Sequence, residues 1–253
     1  MSLAKIFILI AVFFFTSLVS VVTGSTSLIT VPVMIAVGIE THVAIATNML
    51  ALTFLSAGGS LPFLGKGIIH RGRLPWSLVL TVVGSALGAM LMLRIPSSAV
   101  QLTLAAAMIA AIALTLARRD FDSPKIVLHA SASWGFAGYA VTFLLAVYGG
   151  SFSGGYVTML TAAFVFFFGM TLRESVATTK IVNLFSSIVA TLVFAWRGAI
   201  NWRLGILLGV VMFVGALLGS HISMKVSSVW LRRIFIIAVL GMALKMLWVA
   251  AAH

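Results

Sequence analysis

The chain has 253 residues, of which 62% are hydrophobic and only 8% are charged. Soluble domains are near half apolar and a quarter charged, so this composition excludes a soluble globular fold and indicates lipid as the solvent. The formal net charge of +12 does not indicate nucleic-acid binding, because most of the 16 Lys and Arg residues are scattered at the ends of apolar runs and form no basic stripe.

Ten apolar segments follow one another along the chain. One membrane crossing requires roughly 20 apolar residues, and eight of the segments approach that length. The other two are short: at 1.5 Å per residue, about 12 residues reach only some 18 Å, roughly half the bilayer. In chain order the segments are 3–23, 27–38, 41–63, 74–95, 98–117, 126–148, 155–169, 172–195, 203–224 and 228–251.

The ten segments form two copies of one five-segment unit. The chain matches itself at an offset of 131 residues, and the matches preserve Gly, Ser and Thr positions that chance similarity of apolar sequence rarely keeps. Among them are Gly38 with Gly169 and the Gly-x-x-x-Gly motifs at 84–88 and 215–219, which favour close helix packing. We therefore predict an all-α polytopic membrane protein with a first repeat at 1–118, a connector at 119–125 and a second repeat at 126–253.

The sequence is compatible with two membrane topologies. If each short segment dips in and returns, the protein has eight spans and parallel repeats. If each crosses, it has ten spans and inverted repeats. The distribution of Lys and Arg satisfies the positive-inside rule about equally in both schemes.

A break rich in Gly and Ser precedes each short segment. The first break is 23–27 and the second is 149–155. Paired short segments interrupted by glycine, at matching positions of two repeats, are the best sequence indication of a transporter's binding site. We therefore predict that the substrate contacts Gly24 and Ser25 in the first break, and Ser153 and Gly155 in the second.

Lys180 is the most informative single residue. It lies about nine residues into the segment that begins near 172, some 12 Å along a helix and near the middle of the bilayer. A charge at that depth is costly and is by default a hypothesis of function. The alternative, in which the side chain extends to the membrane surface, suits helix ends better than a position two turns in.

Polar residues surround Lys180 at helical spacings. Thr179 and Asn183 are four residues apart, and Lys180 and Asn183 are three apart, so these side chains lie on adjoining parts of one helix face. Hydroxyl and amide groups could replace water around the oxygens of an anion, or could serve only to bond helices to one another. The residues predicted to bind substrate on these helices are Lys180, Asn183, Thr178 and Thr179 in the second copy, and Thr47 and Asn48 in the first.

Enzymatic chemistry has little support. The chain has four acidic residues and no cysteine, and no span holds a pair of carboxylates. No His-Glu-x-x-His or other metal-ligand spacing is present, so we predict no catalytic residues, no metal site and no cofactor.

Motifs across nearly the whole chain resemble the TauE/SafE family of sulfite exporters. Family members look like two tandem repeats, each with a Gly-rich segment and then a helix that begins Ala-x-x-Thr or Ala-Thr-Ser/Thr. The first copy departs from the pattern at 25–27, where hydroxyl residues replace a denser glycine run. The stretches that carry the resemblance are 24–32, 46–48, 67–69, 149–155, 177–183 and 198–202.

The resemblance implies secondary transport of sulfite or an organosulfonate such as sulfoacetate, in the export direction, by alternating access around a central site. Two alternatives remain: a non-transporting membrane scaffold or assembly protein, and an importer of a different small anion. The expected partners are the anion and the lipid bilayer, with no nucleic acid. A coupling ion, H⁺ or Na⁺, and a homodimer are left open. We expect a multi-pass protein of the bacterial inner membrane.

Overall fold

A computed structural model describes residues 1–23, 26–61, 69, 72–117 and 132–222. Within these ranges the regular structure is helical. The predicted connector at 119–125 and the tenth predicted segment, 228–251, lie outside the described residues. The helices are α1 (Leu3–Thr23), α2 (Ser27–Ala36), α3 (Thr41–Ser60), α4 (Leu74–Met92), α5 (Ser97–Ala117), α6 (Ala132–Ser151), α7 (Tyr156–Phe168), α8 (Leu172–Trp196) and α9 (Trp202–Ile222).

The helix lengths confirm the predicted polytopic, all-helical membrane fold. Five of the described helices, α1, α3, α4, α8 and α9, are long and apolar enough to cross a membrane. The two predicted short segments are indeed short helices: α2 has 10 residues and α7 has 13. At 1.5 Å per residue they measure about 15 and 20 Å, less than the ~30 Å hydrocarbon core.

Local signals in the sequence fix the ends of these helices. The Glu40 carboxylate caps α3 by accepting a hydrogen bond from Val43 N at 2.9 Å. A capping box formed by Thr171 and Glu174 starts α8. Gly169 ends α7 with a φ of 64°, a left-handed conformation that favours glycine.

The helices form two bundles that exchange their fourth helices. The first bundle consists of α1, α2, α3 and α9, and the second of α4, α6, α7 and α8. There are two apolar cores: a larger one around α1, α2, α3, α5 and α9 that also takes in residues of α4 and α8, and a smaller one centred on α7. Each bundle therefore combines three helices of one predicted repeat with the fourth helix of the other.

Glycine strips make this exchange sterically feasible. A Cβ atom at Gly84 would lie 2.8 Å from Ala146 Cβ on α6, and one at Gly219 would lie 2.5 Å from Leu18 O on α1. Both distances are too short for real Cβ contacts, so these positions require glycine if the helices are to approach as they do. The two Gly-x-x-x-Gly motifs serve packing between α4 and α6 and between α9 and α1.

The matching third helices, α3 and α8, are antiparallel. The contacting pairs are Thr53 with Thr191, Ser56 with Asn183, and Gly59 with Lys180. Contacts that advance along α3 therefore recede along α8. Equivalent helices that point in opposite directions give the two predicted repeats an inverted relationship, so the alternative of parallel repeats is wrong.

The first two helices of the chain form a hairpin. Lys5 Nζ, at the start of α1, donates a hydrogen bond of 2.7 Å to Val37 O, at the end of α2. The short helix α2 thus returns the chain to the face of the molecule where α1 begins. The three helices that follow, α3 to α5, bring the chain to the opposite face, where α6 begins. This odd number of passages agrees with the inverted relationship.

Candidate functional site

A small cavity lies between the two bundles, where α3 meets α8. It is narrow in this arrangement, with room for no more than about one water molecule, far less than the pockets that hold organic ligands. The breaks before α2 and α7 both border it. The lining residues are Ser20, Thr26, Leu52, Leu55, Ser153, Val157, Lys180 and Asn183.

Of the described residues that line the cavity, Lys180 alone has a basic side chain. The residue is 4% exposed, and its ammonium has no hydrogen-bond or ion-pair partner among the described residues. Gly59 of α3 lies beside it, since a Cβ there would stand 3.9 Å from Nζ, an ordinary van der Waals contact. An unpaired buried cation costs several kcal/mol, and an anion in the cavity would offset that penalty.

Asn183 lies one turn further along α8 and also lines the cavity. Its Nδ2 donates a hydrogen bond of 2.6 Å to Ser56 Oγ, while its Oδ1 has no partner among the described residues. The Ser56 hydroxyl can equally donate to Oδ1, which would release both amide hydrogens to another acceptor. Asn183 can therefore supply donors to the oxygens of an anion.

Both short helices begin at the cavity. Thr26, the N-cap of α2, and Val157, in the first turn of α7, belong to its lining. Ser153 has a φ of 65° and Gly155 a φ of 79°, so the chain turns sharply just before α7. Helix N-termini carry partial positive charge and unsatisfied N–H groups, which makes the surroundings of the cavity more favourable for an anion.

Three of the predicted site residues thus meet at the cavity: Lys180, Asn183 and Ser153. Thr26 and Ser20 also line it but were absent from the predicted set. Thr26 belongs to the same break as two predicted residues, so the break itself was the signal. Ser20 lies on α1 one turn before the break, where the sequence gives no sign of its neighbours.

Two predicted residues of α3 bond to other helices instead. Thr47 Oγ1 accepts a hydrogen bond of 3.1 Å from Asn201 N, at the start of α9. Asn48 Oδ1 accepts one of 2.7 Å from Thr30 Oγ1, and Asn48 Nδ2 donates one of 3.1 Å to Ser27 Oγ. Asn48 therefore joins α3 to the short helix α2.

The other predicted residues lie near the cavity lining or beyond the described ranges. Thr178 and Thr179 are fully buried on α8 without belonging to the lining, and Thr179 Oγ1 has no partner among the described residues. Gly155 is the N-cap of α7. Gly24 and Ser25 lie outside the described residues. Substrate contact by any of these residues stays a prediction.

Comparison with known proteins agrees with this architecture. The family described as Sulfite exporter TauE/SafE matches residues 9–246. A probable membrane transporter protein of Sinorhizobium sp. is 26% identical over 92% of this chain and 89% of its own length. Another from Haemophilus influenzae is 25% identical over 95% and 94%, respectively.

A third relative, the probable membrane transporter protein YfcA of Escherichia coli K12, is 24% identical over 95% of this chain and 90% of its own length. No solved structure matches the chain significantly. The family match covers nearly the whole sequence, and the related proteins are named as transporters rather than enzymes. The chain therefore belongs to the sulfite exporter TauE/SafE family and is a multi-pass membrane transporter.

Proposed function

We propose that the chain is a secondary transporter that exports a small sulfur-containing anion, sulfite or an organosulfonate such as sulfoacetate. The observation that carries this proposal is the buried, unpaired ammonium of Lys180 in a cavity at the centre of the molecule. The family description, sulfite exporter, is the reason for proposing a sulfur-containing substrate and transport out of the cell. The ammonium of Lys180 in the cavity favours a negatively charged substrate.

The chemistry of the lining favours an anion over a cation. Its described residues contribute one ammonium, one amide and three hydroxyl groups, and none of them is a carboxylate. Ammonium, amide and hydroxyl groups can all donate hydrogen bonds to sulfonate or sulfite oxygens. A cation would meet the repulsion of Lys180 with no acidic side chain to oppose it.

The arrangement of the bundles suits alternating access. Each bundle contains one short helix. The two bundles contact each other chiefly through α3 and α8. Because the repeats are inverted, a rocking motion of one bundle against the other would close the cavity on one face and open it on the other. The anion would stay near Lys180 while the bundles move around it.

Ligand-induced stabilisation of the purified protein tests the proposal. A ligand that binds only the folded state stabilises it by about 2.7 kcal/mol at a hundredfold excess over Kd. Sulfite or sulfoacetate should therefore raise the melting temperature of the wild type. Lys180→Met should remove that shift, because the variant lacks the cation.

Lys5→Met provides the matched control. It removes the same charge from an exposed position at the start of α1, far along the sequence from the cavity lining, and should keep the wild-type shift. Equal shifts in wild type and Lys180→Met would refute the site. The absence of a shift with sulfite, sulfoacetate, thiosulfate and sulfate alike would instead favour a non-transporting scaffold.

A further inference from the structure

Unsatisfied polar atoms are concentrated in one of the two bundles. Among the described residues, five buried side-chain oxygens lack a hydrogen-bond partner, and all five belong to α4, α7 or α8 of the second bundle. Buried polar groups are normally satisfied, and each exception carries a free-energy penalty. The five atoms are Thr81 Oγ1, Tyr156 Oη, Ser175 Oγ, Thr179 Oγ1 and Asn183 Oδ1. Tyr156 Oη lies close enough to the Thr81 and Ser186 hydroxyls to interact with them, which leaves the three atoms of α8.

Three of these oxygens follow a single line along α8. Ser175, Thr179 and Asn183 are spaced four residues apart, so they stand one above another on adjoining turns. The line leads from the first turn of α8 to the cavity, where Asn183 is part of the lining. The residues at the matching positions of α3 are Ala44, Asn48 and Leu52, and none of them has an unsatisfied side-chain atom.

The short helix of each bundle is held differently. In the first bundle, Asn48 joins α3 to α2 through hydrogen bonds to Thr30 and Ser27. In the second, Thr179 stands at the matching position of α8, and its hydroxyl reaches no partner. The side-chain link that ties α2 to α3 therefore has no equivalent at position 179 between α8 and α7.

The helix α7 also lies between two turning points. Gly155 precedes it with a φ of 79°, and Gly169 ends it with a φ of 64°. Left-handed glycines at both ends allow the helix to change its direction relative to its neighbours with little strain.

We infer that the anion reaches the cavity between α7 and α8, along the line formed by Ser175, Thr179 and Asn183. In the closed arrangement of this structure their oxygens are buried without partners. When α7 moves away from α8, water and the anion supply the missing hydrogen bonds, and the α2–α3 contact stays closed. For the nature of the ligand, an anion, this inference rests on the proposed function. The route between α7 and α8 does not depend on that proposal.

The route opens on a face rich in basic residues. Arg173 is exposed in the first turn of α8, and the Arg73 guanidinium lies over the rings of Tyr139 and Phe168, 5.9 and 5.2 Å from their centroids. In the predicted ten-span scheme the loops at 64–75 and 118–125 share this side and add Lys66, Arg71, Arg118, Arg119 and Lys125. These five residues lie outside the described ranges.

In the same scheme the opposite side carries fewer basic residues at segment ends: Lys5, Arg94, Arg197 and Arg203. By the positive-inside rule the face that bears Arg73 and Arg173 is cytoplasmic. The anion is therefore loaded from the cytoplasm, which agrees with export.

The absence of cysteine from the chain makes thiol labelling a direct test. Single Ser175→Cys and Thr179→Cys variants are exposed to a membrane-impermeant, anionic methanethiosulfonate, in intact cells and in inverted membrane vesicles. Both should react from the cytoplasmic face. Ala44→Cys, at the α3 position that matches Ser175, is the control and should react at least about tenfold more slowly, because the unsatisfied Thr179 hydroxyl that remains in Ser175→Cys shifts the opening equilibrium by about that factor.

Reaction of Ala44→Cys as fast as Ser175→Cys, or reaction of Ser175→Cys and Thr179→Cys only from the periplasmic face, would overturn the inference. So would their failure to react from either face in variants that elute as the wild type does in gel filtration. Sulfoacetate should slow labelling of Thr179→Cys, and Lys180→Met should abolish that protection. If both variants are labelled but sulfoacetate does not slow the reaction, the route is supported and the proposed ligand is refuted.

A second variant tests the missing contact itself. Thr179→Asn places an amide where Asn48 stands in the first bundle, opposite Thr158 and Thr161, which match Ser27 and Thr30. The new hydrogen bonds should slow labelling of Ser175→Cys several-fold while preserving anion binding. Unchanged labelling of Ser175→Cys in a folded Thr179→Asn background would contradict the proposed movement of α7.

Discussion

Helices α3 and α8 are counterparts in the two predicted repeats, yet they contribute different chemistry to the cavity between them. Where α8 has Lys180 and Asn183, α3 has Met49 and Leu52. Both helices are largely buried, and they cross as antiparallel partners. The backbone is therefore nearly symmetric at this point, whereas charge and hydrogen-bonding capacity come from one side.

The difference separates two requirements of a transporter. An inverted scaffold needs similar helices on both sides, so that two arrangements of nearly equal energy exist. A binding site for one anion needs a single cation, since a second buried lysine would repel the first. Conserving the glycines of both repeats while placing the lysine in one of them satisfies both requirements.

Moving the lysine from α8 to the matching position of α3 should have the largest effect on anion binding. Lys180→Met should weaken anion binding more than a hundredfold, since truncating one partner of a buried charge pair costs roughly 3–5 kcal/mol. The double variant Lys180→Met with Met49→Lys should recover part of the affinity, because position 49 matches position 180. Titration calorimetry measures both, and a double variant that binds no better than Lys180→Met would show that the cavity is not symmetric.

The glycine strips provide the opposite case, in which the two halves should behave alike. Gly84→Ala and Gly219→Ala each introduce a Cβ at 2.8 Å or less from a neighbouring atom of a packed helix. Each should destabilise the fold by about 1–3 kcal/mol, the usual cost of overpacking. Unfolding in denaturing detergent checks the prediction, and a stable variant in one strip alone would contradict equal packing roles.

Removing the matching polar side chains of α3 and α8 near the short helices α2 and α7 should change stability by different amounts. Asn48→Leu removes two buried hydrogen bonds and should cost about 1–2 kcal/mol. Thr179→Val removes only a hydroxyl without a partner, so it should be neutral or slightly stabilising. Thermal unfolding of the two variants measures the difference, and equal destabilisation would refute the asymmetry.

The smallest effect concerns the start of α3. Partial burial raises the pKa of the Glu40 carboxyl, but hydrogen bonds from His42, Val43 and Ser97 outweigh it and lower the pKa from 4.5 to about 2. The ionised form therefore stabilises the fold above pH 4.5, and this stabilisation is lost as the pH falls towards 2. Solvent screening limits it to about 1 kcal/mol or less.

Glu40→Gln should accordingly melt slightly below the wild type at pH 7, and the two melting curves should converge as the pH is lowered from 4.5. A gap between the curves that persists or widens in acid would contradict this assignment.

Sequence predicted the scaffold because the relevant signals are local. The lengths of the apolar runs give the helices, and Gly-rich breaks before 27–38 and 155–169 mark the two short ones. A lysine in the interior of an apolar run indicates a buried charge without any knowledge of its neighbours. For these reasons the short helices and the burial of Lys180 could be predicted before any contact was known.

The partners of each side chain could not be predicted in this way. In the sequence, Asn48 and Asn183 are similar polar residues on matching helices, but Asn48 binds α2 and Asn183 faces the cavity. The exchange of α4 and α9 between the bundles depends on contacts between residues that are far apart in sequence. The orientation of the repeats was open for the same reason, until the contacts of α3 with α8 gave their direction.

Direct binding of radiolabelled sulfite to the purified protein tests the central claim most directly. The wild type and Lys5→Met should bind one anion per chain with equal affinity, and Lys180→Met should show no saturable binding at the same concentrations. Saturable binding of equal affinity in Lys180→Met would contradict a site built on the buried lysine of the second repeat.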